Sequence, residues 1–327
     1  MSSIPPAQAS LYSPLAHGIT AIESGYFRPG YDVAYLMVEN GRAAFIDSGV
    51  NASLPHMLGA LALHGLSVDD VDWVILTHVH LDHAGGAGAL MAVLPNARLA
   101  VHPRGVRHMI DPGPLLQAVR AVYGDEVTQR EYGELIPVAA ERIESLDDGQ
   151  VLHLAGRALT ITYSPGHARH HVCIWDERSR GWFTGDAFGL CLPEFRTAEG
   201  HAVIPTTSPS QFEPGPYHET IAKLMARAPR AMYPTHSGEV LHPERLAPCL
   251  LAQIDAMVDA ARSSGAGEGG VLRMQDAFCA IYLQALHAQG WHGSEATVRE
   301  VLQVDLKLNA EGVKLWLDRE PQPGPTP

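Results

Sequence analysis

The chain has 327 residues, of which 46% are hydrophobic and 18% charged, and its formal net charge is −13 at pH 7. This acidic balance, with no cluster of lysines and arginines, argues against binding to nucleic acid, which requires basic patches that neutralise phosphates. The apolar stretches are far shorter than the ~20 residues of a membrane span, so we expect no membrane partner.

The N-terminal residues 1–16 are rich in Ser, Pro and Ala and are predicted to form an arm. They lack the basic start and apolar core of a signal peptide, so no export is expected. The four cysteines are scattered, as is typical of free thiols in a reducing compartment. These features together predict a cytoplasmic protein.

The next elements alternate between strands and a helix. Residues 33–38 and 42–47 are apolar runs joined by Asn-Gly, which is a strong hairpin signal. Residues 53–64 carry apolar side chains at helical spacing. The apolar run at residues 71–76 predicts a buried strand, and residues 98–102 predict the following one.

The segment of residues 103–147 does not alternate like a strand and is predicted to be a helical insertion. Its helices are expected at residues 115–123 and 132–146. Because the segment separates two histidine motifs, it either covers an active site or is a plain pair of packing helices.

Strands return at residues 151–163 and 172–183, and helices dominate the predicted C-terminal extension, residues 243–320. A Gly/Ser-rich stretch at residues 263–270 predicts a linker within that extension. The Pro-rich tail of residues 321–327 is predicted to be disordered.

Three histidines and a carboxylate lie within six residues after the strand at 71–76: His78, His80, Asp82 and His83. A single histidine among the 18 of this chain is ordinarily a surface or core residue. Four such side chains together are instead typical of a metal site, and imidazole with carboxylate suits zinc or iron better than calcium or magnesium.

Three further motifs follow predicted strands later in the chain. They are Ser-Pro-Gly-His ending at His167, Phe-Thr-Gly-Asp ending at Asp186 and Tyr-Pro-Thr-His ending at His236. With the histidine cluster, they resemble the motifs of the metallo-β-lactamase-fold superfamily, in the same order. The resemblance covers roughly residues 17–242.

The resemblance implies an α/β fold, a four-layer αββα sandwich, here with a helical C-terminal extension. It also implies two metal ions, zinc as first choice with iron or manganese as alternatives. The first ion would be held by His78, His80 and His167. The second would be held by Asp82, His83 and His236, and Asp186 would bridge both.

The implied activity is hydrolysis of an ester, thioester or lactone by a metal-bridging hydroxide. Asp82 would also be catalytic, by orienting the nucleophile or passing a proton to the leaving group. Asp47, in Ile-Asp-Ser-Gly, either supports a ligand histidine from behind or is an ordinary turn residue.

Several branches of the superfamily remain to be weighed. Glyoxalase II fits the ligand set best, although no basic C-terminal cluster for glutathione is present. Asp186 argues against the lactamases proper. Lactonases of the superfamily often have a tyrosine shortly after the bridging aspartate, whereas Phe188 follows Asp186 in this chain. The alternative is a di-iron protein that binds oxygen or performs redox chemistry, which His80 and the missing flavin module disfavour. A degenerate module without catalysis is disfavoured by the full ligand set.

Candidate substrate contacts follow from position alone. His170 and His171 either reach the substrate or pack under the site. An aromatic acyl pocket or mere packing is the role of five aromatic residues: Tyr26, Phe27, Tyr31, Phe188 and Phe195. The expected partner is a small-molecule substrate of unspecified identity. The oligomeric state stays open, a homodimer being one option.

Overall fold

The computed structural model describes residues 11–207, 210–236, 238–265 and 268–320. Most of the predicted N-terminal arm, part of the predicted linker and the whole predicted tail lie outside the described residues. The described chain forms two compact units. The first contains residues 11–163, 170–185 and 228–241, and the second contains residues 164–169, 186–227 and 242–320. The domain limits expected from the sequence stay predictions.

Seven strands form the first sheet of the first unit, arranged in chain order. They are β1 (Tyr12–Pro14), β2 (Ile19–Glu23), β3 (Val33–Glu39), β4 (Arg42–Ile46), β5 (Val71–Ile75), β6 (Arg98–Val101) and β7 (Ile143–Ser145). Neighbours are antiparallel from β1 to β4 and parallel from β4 to β7. The predicted hairpin between β3 and β4 is confirmed, and Asn40 and Gly41 both take positive φ, 45° and 76°.

Six strands form the second sheet of the same unit, in the order β13-β12-β11-β10-β9-β8. They are β8 (Val151–Leu154), β9 (Arg157–Tyr163), β10 (Val172–Asp176), β11 (Gly181–Gly185), β12 (Ala231–Pro234) and β13 (Val240–Leu241). All neighbours are antiparallel except β11 and β12, which are parallel. Because β11 and β12 run the same way, their carboxyl ends meet at one edge of the sheet.

One apolar core lies between the two sheets. Alternate residues of each strand face it, including Val33, Tyr35 and Met37 on β3 and Leu159 and Ile161 on β9. Burial of each large side chain contributes about 1.5–3 kcal/mol to folding. This core therefore fixes the strand ends on which the candidate site is built.

Six helices belong to the first unit: α1 (Leu54–Leu63), α2 (Leu81–Ala84), α3 (Ala87–Val93), α4 (Pro103–Ile110), α5 (Gly113–Tyr123) and α6 (Asp125–Tyr132). A second apolar cluster joins α1, α3 and α4 to the first sheet through side chains such as Met57, Leu90 and Met109. Helix α5 has no buried residue.

The helix predicted at residues 132–146 is wrong, whereas the one at 115–123 is confirmed as α5. Helix α6 ends at Tyr132, where Gly133 takes φ 62° and ψ −143°. Residues 143–145 instead form β7, in which Ile143 pairs with Leu99 of β6. Pairing along the sheet edge outweighs the helical pattern of this segment.

The second unit is mainly helical, as predicted for the C-terminal region. Its helices are α7 (Pro214–Met225), α8 (Pro243–Ser263), α9 (Glu268–Ala288), α10 (Glu295–Val301) and α11 (Gln303–Leu317). No helix within the described part of the chain has both the length and the apolar character needed to cross a bilayer. The predicted fold class, an α/β sandwich with C-terminal helices, is confirmed.

Buried hydrogen bonds hold the extended segments of the second unit to its helices. Asn309 accepts from the backbone N–H of Thr207 through Oδ1, at 2.8 Å. The backbone N–H of Val203 donates to Gln289 Oε1 at 2.9 Å, and Gln253 Nε2 donates to the Val203 carbonyl at 3.0 Å. Side chains from three helices therefore satisfy main-chain groups of residues 203–207.

Candidate metal centre

His78 and His80 lie just beyond the carboxyl end of β5, before α2 begins. His80 is extended, with φ −64° and ψ 149°, and precedes the first residue of the helix. His78 Nε2 and His80 Nδ1 are 2.9 Å apart. The strand end thus directs two ring nitrogens toward the same point, as the sequence predicted for one metal ion.

Asp82, His83 and His236 form the other predicted ligand set, and the structure brings all three together in the first unit. One ligand atom from each lies within 4.8 Å of the others. Asp82 Oδ2 is 3.7 Å from His83 Nε2 and 3.7 Å from His236 Nε2. In a tetrahedral zinc site with ~2.1 Å bonds, ligand atoms lie roughly 3.4 Å apart, so these side chains fit a metal ion with small adjustments.

The other ring nitrogens of the two histidines have oxygen partners. His83 Nδ1 is 2.9 Å from Asp47 Oδ2, and His236 Nδ1 is 2.8 Å from the Tyr31 carbonyl oxygen. A carbonyl only accepts, so the Nδ1 of His236 carries the hydrogen and donates it. When neutral, each ring then has its lone pair on Nε2, which faces Asp82. This is the orientation that metal-ligating histidines require.

Asp47 is buried and collects hydrogen bonds from two threonines. It accepts from the backbone N–H of Thr77 at 2.8 Å, from Thr77 Oγ1 at 2.8 Å and from Thr235 Oγ1 at 3.0 Å. Neither threonine was predicted from the sequence to take part in the site. A signal was available, because each of them immediately precedes a predicted ligand histidine, His78 or His236.

His167 and Asp186 lie together in the second unit. His167 Nε2 is 3.2 Å from Asp186 Oδ2, and both side chains are buried. Gly166 takes φ 134°, and a Cβ there would lie 2.5 Å from the Tyr217 Cα, so only glycine fits before this histidine. Phe188, predicted as a substrate contact, is fully buried in the same unit.

His170 and His171 are buried in the first unit and lie against His78. The ring centroids of His170 and His171 are 6.0 Å and 4.9 Å from that of His78. His170 Nδ1 accepts a long hydrogen bond, 3.4 Å, from the backbone N–H of Val79. A role for either residue in substrate contact stays a prediction.

The aromatic loop, residues 25–31, connects β2 to β3. It is closed at its base by two contacts of Ser24, whose N–H donates to the Asp32 carbonyl at 3.0 Å and whose Oγ donates to Asp32 Oδ2 at 2.8 Å. Burial raises the pKa of Asp32 to about 7. Phe27 is 51% exposed at positive φ, 59°. The Tyr31 ring packs on His236, with centroids 4.8 Å apart.

Tyr26 of this loop meets Tyr132, the last residue of α6. Their hydroxyl oxygens are 2.7 Å apart. Tyr26 was a predicted substrate contact, whereas Tyr132 was not predicted, because 106 positions separate the two and no local pattern marks Tyr132.

A family model described as the metallo-beta-lactamase superfamily matches residues 28–245. The chain belongs to the metallo-beta-lactamase superfamily. The resemblance expected from its motifs is therefore confirmed, and the matched residues include every predicted ligand.

Three curated proteins are similar to the chain in sequence. A metallo-beta-lactamase fold-containing protein of Sulfurisphaera tokodaii, ST1585, is 25% identical over 232 residues, 68% of this chain and 79% of its own. An acyl-coenzyme A thioesterase of Gallus gallus, MBLAC2, is 30% identical over 189 residues, 54% of this chain and 64% of its own. An atrochrysone carboxyl ACP thioesterase of Aspergillus fumigatus is 26% identical over 208 residues, 63% of this chain and 50% of its own.

The chain thus spans between half and two thirds of the length of these two thioesterases. The crystal structure of ST1585 has a TM-score of 0.65 and 22% identity, and the superposition covers 92% of this chain and 99% of that chain. At this identity the superposition bears on the metallo-beta-lactamase fold alone.

Proposed function

We propose that the chain is a dinuclear metal-dependent hydrolase that cleaves an acyl thioester or a related ester or lactone. The observation that carries the proposal is the set formed by Asp82, His83 and His236. One ligand atom from each of these residues lies within 4.8 Å of the others, and the Nδ1 atom of each histidine contacts an oxygen that fixes the orientation of the ring. Histidine rings held in this way by hydrogen bonds at the second nitrogen are typical of metal sites.

The proposed ligands fall into two sets. His78, His80 and His167 would hold the first ion, Asp82, His83 and His236 would hold the second, and Asp186 would bridge them. Nitrogen with few carboxylate ligands favours zinc, and iron or manganese are the alternatives. The metals when bound lower the pKa of water toward ~7 and polarise a carbonyl group.

Asp82 is the proposed catalytic carboxylate. Its side chain keeps 21% of its exposure, whereas those of His83 and His236 keep 0% and 3%. A substrate or an attacking water can therefore reach the Asp82 side chain. Asp82 would accept a hydrogen from the attacking water and return a proton to the leaving thiolate or alkoxide.

The thioester is the first substrate class to test, because two relatives carry the name thioesterase. The test combines metal analysis with thiol release from acyl-coenzyme A. We expect about two metal ions per chain and activity lost on chelation. Asp82→Asn should reduce kcat by about 10²- to 10⁴-fold, the usual contribution of a general acid–base group.

His153→Ala is the matched control, because His153 is exposed on β8, and it should leave both metal content and kcat unchanged. Less than one metal per chain, not restored by zinc, iron or manganese, would contradict the proposal. Two irons with oxygen-sensitive absorption and no thiol release would favour the redox alternative.

A further inference from the structure

Two tyrosine hydroxyls meet beside the candidate metal centre although no ligand motif includes them. Tyr26 comes from the aromatic loop and Tyr132 from the end of α6. Their rings stack with centroids 5.7 Å apart and an interplanar angle of 28°, and their oxygens are 2.7 Å apart. This geometry defines a hydroxyl pair, Tyr26–Tyr132, held by ring stacking and one hydrogen bond.

The hydroxyl pair is linked to the second ligand set through Tyr31, whose ring lies 6.2 Å from that of Tyr26 and 4.8 Å from that of His236. The negative charge of Asp82 contributes to raising the pKa of both tyrosines, after the larger effect of burial. Leu81, the residue before Asp82, packs in one apolar cluster with Tyr132 and Tyr26. The pair therefore lies on the side of the second ligand set that carries Leu81 and Tyr31.

One hydroxyl hydrogen of the pair has no acceptor among the described residues. Two hydroxyl groups carry two hydrogens, and the bond between them uses only one. Across residues 11–207, 210–236, 238–265 and 268–320, no other hydrogen bond to either hydroxyl is found. Because burial raises the pKa of both groups above the ordinary value of a tyrosine, the remaining hydrogen stays in place at neutral pH.

We propose that the Tyr26–Tyr132 pair donates this hydrogen bond to the carbonyl oxygen of the acyl group being cleaved. The inference rests on the proposed function, and it places the carbonyl oxygen of the substrate against the Tyr26–Tyr132 pair. A fixed neutral donor stabilises the negative charge that develops on that oxygen, and it does so without transferring its proton. One tyrosine contacts the substrate while the other positions it.

The same placement directs the rest of the acyl group toward α5. The apolar cluster that contains the pair also includes the half-buried Leu115, Leu116 and Val119 of this helix. Since α5 has no buried residue of its own, its side chains can adjust to an added apolar chain. An acyl substrate therefore has a polar contact at its carbonyl and apolar contacts beyond it.

The test uses Tyr26→Phe, Tyr132→Phe and the double variant of the metal-loaded full chain. Each single variant should lower kcat by about 10- to 100-fold with KM changed less than about threefold, since the donor acts mainly on the developing charge. The double variant should be no worse than the poorer single one, because either loss breaks the pair. Tyr12→Phe is the control, since the Tyr12 hydroxyl donates to the His56 carbonyl in another part of the unit.

A second readout does not depend on turnover. A ketone analogue of the acyl thioester, with CH2 in place of sulfur and ¹³C at the carbonyl, is bound to the protein with and without metal. We expect its infrared carbonyl band to shift to lower frequency in the wild type, and part of that shift to disappear in both tyrosine variants. The tyrosine-dependent part should persist in the metal-free protein.

The outcomes separate the two proposals. A wild type that shows the tyrosine-dependent shift but no hydrolysis would overturn the proposed function and keep the donor. Normal hydrolysis with an unshifted band, or with unchanged kcat in both single variants, would overturn the donor and keep the function. Failure of the analogue to bind, or an equal loss of thermal stability with unchanged kcat, would also overturn the donor.

Discussion

The carboxylate of Asp47 faces His83 and accepts hydrogen bonds from Thr77 and Thr235, so one buried side chain orients several others. Asp47→Asn replaces one accepting oxygen with an NH2 group, which must then face a donor. We expect metal affinity to fall about 10- to 100-fold, as for other residues that orient ligand histidines. Competition with a chromogenic chelator measures it, and excess metal should restore kcat.

Asp70→Asn is the control for this variant, because Asp70 accepts its hydrogen bonds from Ser67 in the turn before β5. Equal metal affinity in Asp47→Asn and Asp70→Asn would show that Asp47 is an ordinary turn residue, the alternative that its Asp-Ser-Gly context allows.

Sequence reasoning at this scale depends on how local the pattern is. His78, His80, Asp82 and His83 could be predicted because four ligand-type side chains within six residues rarely occur by chance. Tyr132 could not be predicted, because a lone tyrosine at the end of a helix has no sequence pattern that indicates a functional role. Its meaning arises only when folding brings its hydroxyl to within 2.7 Å of the Tyr26 hydroxyl.

Among the elements, helix α7 packs so tightly on Gly166 that residue 166 must be glycine for the backbone to place His167 as observed. Gly166→Ala adds a Cβ that would lie 2.5 Å from the Tyr217 Cα, at a φ of 134° that alanine avoids. We expect a loss of about 2 kcal/mol or more in the free energy of unfolding, measured by denaturant titration.

Gly215→Ala is the matched substitution on the same helix, because no atom lies within 4 Å of the added Cβ. It should be neutral or stabilising by a few tenths of a kcal/mol. A Gly166→Ala protein as stable as Gly215→Ala would contradict the packing described for α7.

Elements with strong local patterns were predictable and those decided by distant pairing were not. The β3–β4 hairpin follows from Asn40 and Gly41, whose turn chemistry needs no tertiary partner. Strand β7 was mistaken for a helix because its identity depends on hydrogen bonds to β6, more than 40 positions earlier. The periodicity of residues 132–146 carries no information about that partner.

On the scale of the whole molecule, the chain enters the second unit three times, at residues 164, 186 and 242. A protein ending at residue 242 would lack Gln253, Gln289 and Asn309, which hydrogen-bond to the backbone of Val203 and Thr207. Each buried group left without a partner costs about 1–3 kcal/mol. We expect this truncation to be insoluble or to unfold without cooperativity, as measured by circular dichroism and light scattering.

Removal of residues 321–327 alone is the control and should leave the melting temperature unchanged. Cooperative unfolding of the shorter protein would show that residues 243–320 form a dispensable extension. The sequence suggested such an extension because its composition turns helical at residue 243. Composition cannot reveal that those helices complete the hydrogen bonding of a segment about 100 positions earlier.

The closure of the aromatic loop at Ser24 and Asp32 holds residues 25–31 between two fixed anchors. The register of β2 and β3 is set outside it, where Glu23 pairs with Val33. The contact that orients His236 uses the main-chain carbonyl of Tyr31, which any residue supplies. A sequence of equal length that keeps Tyr26 and Tyr31 could therefore replace residues 25–31 without disturbing the sheet, the ring packed on His236 or the hydroxyl pair. Exchange of the other five residues of the loop is then a short route by which descendants of this scaffold could acquire different substrate preferences.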